Sequence, residues 1–507
     1  MGDAVKLSSL DAAFLYMETP EMPMHVGSLS VFQLPKGYQG DFFEAFKAQI
    51  ADRLDAAPML KRKLARTVLD IDHPSWVEDD QFDINRQMFR GSLAAPADLE
   101  TLRRTVGWMH AKLLNRARPL WEFYLFENMP GDQVGLYVKI HHALIDGGAG
   151  VALTQIIYDT VANPPPRPKA KAGAKERPTV RAAAASAVET YVRLWQKPFS
   201  SEVTTFKLPR SGKTDLGSVL RDHATTQLEL GLNVAAALPA MAGAAVKALP
   251  GLLDPAKLGD LRNVVAPRTP LNKSISSERA FGTATISLTR ARAVGKAAGG
   301  KLNDVVLALS SGVLRRYLLE TDSLPKKSLS AAVPVSLREE GDGEANNQAF
   351  AMTCQIATHI ADPKDRMAMI ITESTKSKAL ISPLKDFIPL VSNASAIGMP
   401  MTMQVMALLY TRSGVSDILP PTANVIVSNV PGPRMSLYAA GAELLHLFPV
   451  SIATHGMALN ITVQGYRDQL EFGLIAGANV LPDVQRLADM LEEELAVLEE
   501  AYASVAA

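Results

Sequence analysis

The sequence predicts an α/β protein with more than one domain, on three observations. Segments of strand period, such as Val134–Ile140, alternate with segments of helix period, such as Asp41–Leu54. The chain has 507 residues, 47% of them hydrophobic and 21% charged, enough for a substantial core in two or more domains. A proline-rich, basic stretch after Ala162 interrupts the regular pattern.

In chain order, Ser8 to Met17 starts a helix, with Ser9 or Asp11 near its cap. Met24–Phe32 reads as a strand, with His25 at its start, facing a site or serving the packing. Asp41–Leu54 is an amphipathic helix with Phe43, Phe46, Ile50 and Leu54 on one face. Leu99–Leu113 is another, carrying Leu99, Leu102, Val106, Met109 and Leu113 at three- and four-residue steps, and Pro119 is read as its stop. Trp121–Met129 is the next strand, and the turn Pro130-Gly131-Asp132 leads into the strand Val134–Ile140. There Val134, Leu136, Val138 and Ile140 alternate with Gly135, Tyr137 and Lys139. His141 and His142 fall where that strand ends. Asp146, Gly147 and Gly148 follow, and Val151–Val161 reads as helical.

Ala162–Leu216 cannot be regular throughout, because it opens Asn163-Pro164-Pro165-Pro166-Arg167-Pro168 and continues with Lys169, Lys171, Lys175, Arg177 and Arg181. It divides the chain into residues 1–162, a connection at 163–216, and residues 217–507. The basic connection suits a phosphate or an anionic membrane surface as well as plain solvation. Leu228–Leu253 contains Pro239 and Lys247 and is too interrupted for a membrane span. Ile388–Tyr410 is broken by Pro400; it reads either as helices covering a lipid-sized pocket or a membrane contact, or as ordinary core.

In the second part, Phe281–Leu288 reads as a strand and Thr289 as the cap of a helix through Ala298. Asn303 and Asp304 open a further helix, as caps or as site residues. Strands follow at Ser328–Pro334, Phe350–His359, Ala423–Ser428, Leu459–Gln464 and Gln469–Ile475, and Pro482–Tyr502 closes as an amphipathic helix. Asn429-Val430-Pro431-Gly432-Pro433 is a rigid turn after a strand. Ser428 and Asn429 can hydrogen-bond there, and the proline rings either wall a pocket or simply turn the chain.

Lys+Arg and Asp+Glu both number 52, and this balance argues against nucleic acid as a partner. Cys354 is the only cysteine, so the chain forms no internal disulfide and fits a reducing compartment; it sits in an apolar strand-like run as a buried, inert residue. The N-terminus lacks the pattern of a signal peptide. The paired histidines carry the chemistry: neutral imidazole can take a proton from a hydroxyl and pass it on. The same residues also read as buried packing histidines or, with Asp146, as a metal site. Adjacent histidines on an extended strand point to opposite sides, which makes joint ligation awkward.

The motif His141-His142-Ala143-Leu144-Ile145-Asp146-Gly147 has the form HHxxxDG. With Leu10-Asp11, Met24-His25-Val26-Gly27, Pro119-Leu120-Trp121-Glu122, Pro270-Leu271-Asn272, Asn303-Asp304, Val333-Pro334-Val335-Ser336-Leu337-Arg338 and Ser428-Asn429-Val430-Pro431-Gly432-Pro433, it resembles the bacterial wax ester synthase/acyl-CoA:diacylglycerol acyltransferase family over nearly the whole chain. Asn346-Asn347 and Ala476-Gly477 depart from the family's usual Gly-Asn and Ala-Asp. The resemblance implies two chloramphenicol-acetyltransferase-like halves, each a mixed sheet with helices, joined by a crossover connection around a tunnel. It implies His142 as catalytic base, Asp146 shaping its loop, and His141 supporting the site. Gly147, Pro119, Leu120, Trp121, Asn272, Asn303, Asp304, Ser428, Asn429, Pro431, Gly432 and Pro433 would be tunnel or structural positions.

The resulting expectation is direct transfer of a long-chain acyl group from acyl-CoA, as co-substrate, to a fatty alcohol or diacylglycerol. No acyl-enzyme, metal or redox cofactor is implied. Lys139, Arg118 and Lys112 lie near the motif in sequence as candidate cations for the nucleotide end of CoA. A cytoplasmic protein held peripherally at the inner membrane or lipid inclusions follows from the insoluble product. The alternatives are a metal-dependent hydrolase, a non-catalytic lipid-binding protein on the same fold, and an amide-forming condensation domain.

Overall fold

Two six-stranded sheets and a smaller three-stranded one carry the described chain. The computed structural model describes residues 4–65, 73–144, 153–154, 156–164, 265–336, 349–381 and 415–503. The first part runs β1 (Val5–Lys6), α1 (Ser9–Met17), β2 (His25–Gln33), α2 (Phe42–Arg53), β3 (Arg62–Ala65), β4 (Ser75–Glu78), β5 (Met88–Gly91), α3 (Leu99–His110), β6 (Trp121–Met129) and β7 (Gln133–His141). The second runs β8 (Arg279–Ser287), α4 (Leu288–Ala297), α5 (Leu302–Glu320), β9 (Ser330–Ser336), β10 (Ala349–Gln355), α6 (Pro363–Ile381) and α7 (Val415–Ile418). It continues with β11 (Val425–Val430), β12 (Tyr438–Ala439), β13 (Ala442–Val450), β14 (Leu459–Tyr466), β15 (Gln469–Gly477) and α8 (Val484–Ala503).

The first sheet has the order β12-β13-β2-β7-β6-β5, and the second β10-β9-β11-β14-β15-β8. β12 and β13 are late in sequence yet complete the first sheet, where Phe448 opposes Leu29 across β13 and β2. Sheet membership therefore cuts across the boundary at 217. The two sheets approach at backbone level: a Cβ on Gly473 of β15 would lie 1.7 Å from the Pro449 carbonyl oxygen of β13, so only glycine fits there. Each half is thus a mixed sheet with helices, as the resemblance implied.

Three apolar clusters hold these layers. One packs α1 and α2 against the β7 face made by Val134, Leu136, Val138 and Ile140. Another lies on the opposite face, where Tyr137 meets Leu102 and Val106 of α3 and Phe281 of β8. The third joins α4, α5, α6 and α8 to the second sheet. Cys354 is fully buried there, and burial pushes its thiol up to about 12.

Several boundaries differ from the sequence reading for local reasons. Ser8, not Ser9 or Asp11, caps α1, its hydroxyl accepting the Asp11 N–H at 3.1 Å. Ser287, not Thr289, caps α4. α3 ends at His110, short of Leu113 and well before Pro119. The buried Lys139 ammonium donates to the Met109 carbonyl at 3.1 Å and to that of Lys112, satisfying the end of the helix. Leu113 is consequently 42% exposed. The helix after the histidine motif ends before Asp159, which bridges Tyr438 of β12, so it does not reach Val161. Leu337, Arg338, Asn346, Asn347, residues 165–216, Leu228–Leu253 and Ile388–Tyr410 lie outside the described residues.

Candidate active site

His141 is the last residue of β7, and His142 opens a single 3-10 turn through Leu144. The neighbouring strands pin both backbones. The His141 N–H donates to the Leu120 carbonyl at 2.9 Å, and the His142 N–H to the Met24 carbonyl at 2.8 Å. This explains two segments that stood out in the sequence. Pro119-Leu120-Trp121 and Met24-His25 flank the paired histidines from β6 and β2, with Trp121 opposite Ile140 and His25 opposite His141. Gln87 donates to the carbonyls of Pro119 and Trp121, and the Trp121 indole N–H to the Leu60 carbonyl at 2.7 Å, so this wall is itself fixed.

The His142 ring stacks on Phe14 of α1 at 3.8 Å between centroids and 17° between planes. Burial, followed by the nearby His141, pushes its pKa down to about 4. The ring is therefore neutral at physiological pH. Its Nδ1 is buried without a hydrogen-bond partner among the described residues. Asp146 and Gly147 lie outside the described residues.

His141 is held differently. The Ala143 N–H donates to its Nδ1 at 3.1 Å, so in the neutral ring the proton sits on Nε2. Nε2 lies 3.2 Å from Glu18 Oε2, at ion-pair distance though off a good hydrogen-bond line. Arg116 donates to Glu18 Oε1 at 2.8 Å, and the Met24 N–H reaches Glu18 Oε2 at 3.2 Å. Burial alone would raise the Glu18 pKa, but His141 and Arg116 outweigh it and hold the carboxylate at about 2. Glu18 was not singled out in the sequence. It sits among prolines in Glu18-Thr19-Pro20-Glu21-Met22-Pro23, and no spacing connects it to a histidine 123 positions later.

A second histidine pair lies behind the site. His25 Nε2 donates to the His110 carbonyl at 2.6 Å, His110 Nε2 donates to the Ser451 carbonyl at 2.8 Å, and the Tyr137 hydroxyl donates to His110 Nδ1 at 2.7 Å. His25 is thus a buried tie from β2 to the end of α3. Lys139 is equally internal and does not face solvent. Lys112 lies over the exposed Trp108 ring at 5.0 Å. Arg118 lines a polar cavity of about 280 Å³ with Lys63, Asp79, Asp83 and Arg86.

The remaining candidates divide by role. Asn272 closes a 3-10 turn at Pro270–Asn272. Its Oδ1 accepts from the Thr269 N–H, the Thr269 hydroxyl and Asn424 Nδ2, while its Nδ2 donates to the carbonyls of Ala423 and Gly456. It is a buried knot between loops of the second half. Asn272→Ala is expected to destabilise the protein by about 2 kcal/mol through unsatisfied buried partners. The midpoint of urea unfolding checks this; an unchanged midpoint would contradict it. Asp304 accepts the Lys301 N–H at 2.8 Å and the Ser374 hydroxyl at 2.6 Å, capping α5 and tying it to α6, with Asn303 beside it in the first turn. Ser428 and Asn429 lie on β11 opposite Thr462 and Val463. Pro431, Gly432 and Pro433 wall a cavity of about 360 Å³.

The wax ester synthase/diacylglycerol acyltransferase catalytic-domain model matches residues 7–306, and the model of the family's C-terminal domain matches residues 345–499. This chain belongs to the wax ester synthase/diacylglycerol acyltransferase family. Its activity class is therefore acyl transfer. A putative diacylglycerol O-acyltransferase of Mycobacterium tuberculosis H37Rv is 32% identical over 496 residues, covering 98% of this chain and 99% of the relative. A wax ester synthase/diacylglycerol acyltransferase from Marinobacter aquaeolei VT8 has a solved structure that superposes with a TM-score of 0.65 at 28% identity, covering 98% of this chain and 100% of that one. The first condensation domain of a calcium-dependent antibiotic synthetase shares the fold alone, at a TM-score of 0.52 and 13% identity. Within this wax ester synthase/diacylglycerol acyltransferase fold, the paired histidines stand at the end of an interior strand, clamped from both sides.

Proposed function

We propose that this chain moves a long-chain acyl group from acyl-CoA to the hydroxyl of a fatty alcohol or a diacylglycerol, with His142 as general base. The observation that carries the reading is the neutral His142 ring, its backbone pinned by Met24 and its face packed on Phe14. The alcohol hydroxyl gives its proton to His142 as its oxygen attacks the thioester carbonyl. A tetrahedral oxyanion forms, the C–S bond breaks, and the CoA thiolate takes the proton from His142. No acyl-enzyme intervenes. Cys354 supports this, since its thiol is buried in the second half and held un-ionised. His141 orients the site, with Glu18 and Arg116 holding it. Both of its ring nitrogens face protein groups, an arrangement that does not favour a metal shared with His142.

Among the described residues no helix is long and apolar enough to cross a membrane. We place the protein in the cytoplasm, at the surface of the inner membrane or of lipid inclusions, where its substrates and products collect. The test is product analysis with labelled palmitoyl-CoA and hexadecanol, dioleoylglycerol or no acceptor. Wax ester or triacylglycerol is the expected product. Free palmitate without an acceptor would indicate a thioesterase, and binding without turnover a lipid-binding protein.

The pH dependence has a defined sign. With His142 at about 4, kcat/KM is expected to stay flat from pH 8 down to about 5 and to fall only below that. A steep acid limb centred near 6.5, the ordinary value of imidazole, would contradict a buried neutral base. Stability behaves separately. The folded-state pKa values of His25, His110 and His142 all lie below their ordinary value of 6.5, chiefly through burial. The unfolded chain therefore binds more protons below 6.5, and stability falls as pH drops through that window. Initial rates must accordingly be read before unfolding sets in.

A further inference from the structure

Positive charge is concentrated in one stretch of an otherwise balanced chain. Residues 99–118 carry Arg103, Arg104, Lys112, Arg116 and Arg118 against a single carboxylate, Glu100, although Lys+Arg and Asp+Glu both number 52 over the whole sequence. Three of these cations face protein. Arg103 reaches the Thr283 hydroxyl at 3.5 Å, Arg116 holds Glu18, and Arg118 lines the polar cavity beside Pro119. Arg104 and Lys112 are exposed and form no ion pair with a described residue.

Arg104, Trp108 and Lys112 stand four residues apart, so they form one outward stripe on α3 and its closing turn, opposite the buried Leu102, Val106 and His110. Trp108 is 62% exposed, the Lys112 ammonium lies over its ring at 5.0 Å, and the exposed Leu113 adjoins them. An exposed indole beside a cation suits the headgroup level of a bilayer, where the ring meets the acyl boundary and the cation meets phosphate. Trp108, Lys112 and Leu113 line neither of the two cavities described above, and a convex helix face does not enclose a small ligand. The stripe ends at the catalytic end of the sheet. Lys139 Nζ and His25 Nε2 donate to the Met109 and His110 carbonyls, and His25 opposes His141 across β2 and β7. Seven residues beyond Leu113, the Leu120 carbonyl accepts the His141 N–H.

We infer that Arg104, Trp108, Lys112 and Leu113 form the face on which the protein docks to an anionic phospholipid surface. The inference rests on the acyl-transfer reading, which puts the acceptor in lipid, and adds to it the face that meets the lipid. Phosphates of the surface neutralise Arg104 and Lys112, which the described protein leaves without a counter-ion. Each such cation strengthens partitioning onto an anionic surface about fivefold. Trp108 and Leu113 leave water for the headgroup boundary, which accounts for two large apolar side chains exposed side by side with the cations. Docked this way, the enzyme holds the end of α3, and with it the strand ends that carry His25 and His141, close to the lipid.

The experiment sediments the full chain with vesicles of phosphatidylcholine, with and without phosphatidylglycerol. Wild type is expected to bind the anionic vesicles more tightly, and less so as salt rises. The double variant Arg104→Gln, Lys112→Gln is expected to lower that partitioning about tenfold or more. Trp108→Ser is expected to lower binding to both vesicle types. Trp108→Phe keeps an aromatic ring, so it guards against misfolding; quenching of tryptophan emission by vesicles with brominated acyl chains should fall in it. Acyl transfer is scored separately, as CoA release from octanoyl-CoA with octanol and no vesicles, where Trp108→Ser should keep the wild-type rate. Wild type that binds neither vesicle, or variants that partition as wild type does, overturn the inference while leaving acyl transfer standing. Variants that partition normally but raise KM for octanoyl-CoA assign the stripe to the CoA nucleotide and overturn it as well. Wild type that binds vesicles through this face yet releases no CoA with any acceptor overturns the acyl-transfer reading and leaves the docking face in place.

Discussion

His142→Ala is expected to lower kcat for alcohol-dependent acyl transfer by about 10²–10⁴-fold, the usual range for loss of a positioned general base. KM for acyl-CoA should change little, because the imidazole acts on the proton of the acceptor and not on the CoA moiety. The fold should survive. The His142 N–H to Met24 bond is a backbone bond and persists in alanine, while the lost contact is one stacked face against Phe14. Removing a buried neutral imidazole also removes a group that resists protonation in the folded state. The variant should therefore lose less stability than wild type as pH falls below 6.5. Retention of full kcat in the folded variant would remove His142 from the chemistry.

The second large effect concerns Glu18. Its carboxylate is almost fully buried and meets His141 at 3.2 Å and Arg116 at 2.8 Å. Glu18→Ala leaves both partners unsatisfied, and breaking one side of a buried ion pair typically costs about 3–5 kcal/mol. Because Arg116 is partly exposed and keeps its bond to the Leu15 carbonyl, about 3 kcal/mol is the expected loss. Glu18→Gln preserves an acceptor for the Met24 N–H and should lose less. The urea midpoint measures this, and equal midpoints for wild type and Glu18→Ala would refute it. The linkage has the opposite sign to that of the histidines. A carboxylate held at about 2 against an ordinary 4.5 contributes stability that is present above 4.5 and lost as pH falls toward 2.

How much of this was legible in the sequence depends on whether the information is local. The strand bearing the histidines alternates without a break and has a clear end, so its period and the position of His141 and His142 could be read directly. β13 went unread because its pattern is broken twice. The register shifts between Leu444 and His446, and Pro449 lies within the strand. Its partner, His25–Gln33, is more than 400 positions earlier, so nothing local marks the pairing. The end of α3 was misplaced for a similar reason. Pro119 is a visible stop, but the group that closes the helix is the Lys139 ammonium from another strand. Asn303-Asp304 and Asn272 were recognisable as unusual, while only the contacts show Asp304 as a cap and helix tie and Asn272 as a loop knot. Glu18 was invisible because burial against His141, not its local sequence, gives it a role.

The most direct measurement is rapid-mixing detection of CoA thiol after wild-type protein meets palmitoyl-CoA without an acceptor, followed by addition of hexadecanol. Direct transfer to an alcohol predicts no early burst and sustained release only once the alcohol arrives. A burst of one equivalent before the alcohol is added would show an acyl-enzyme and contradict His142 acting as base in a single displacement.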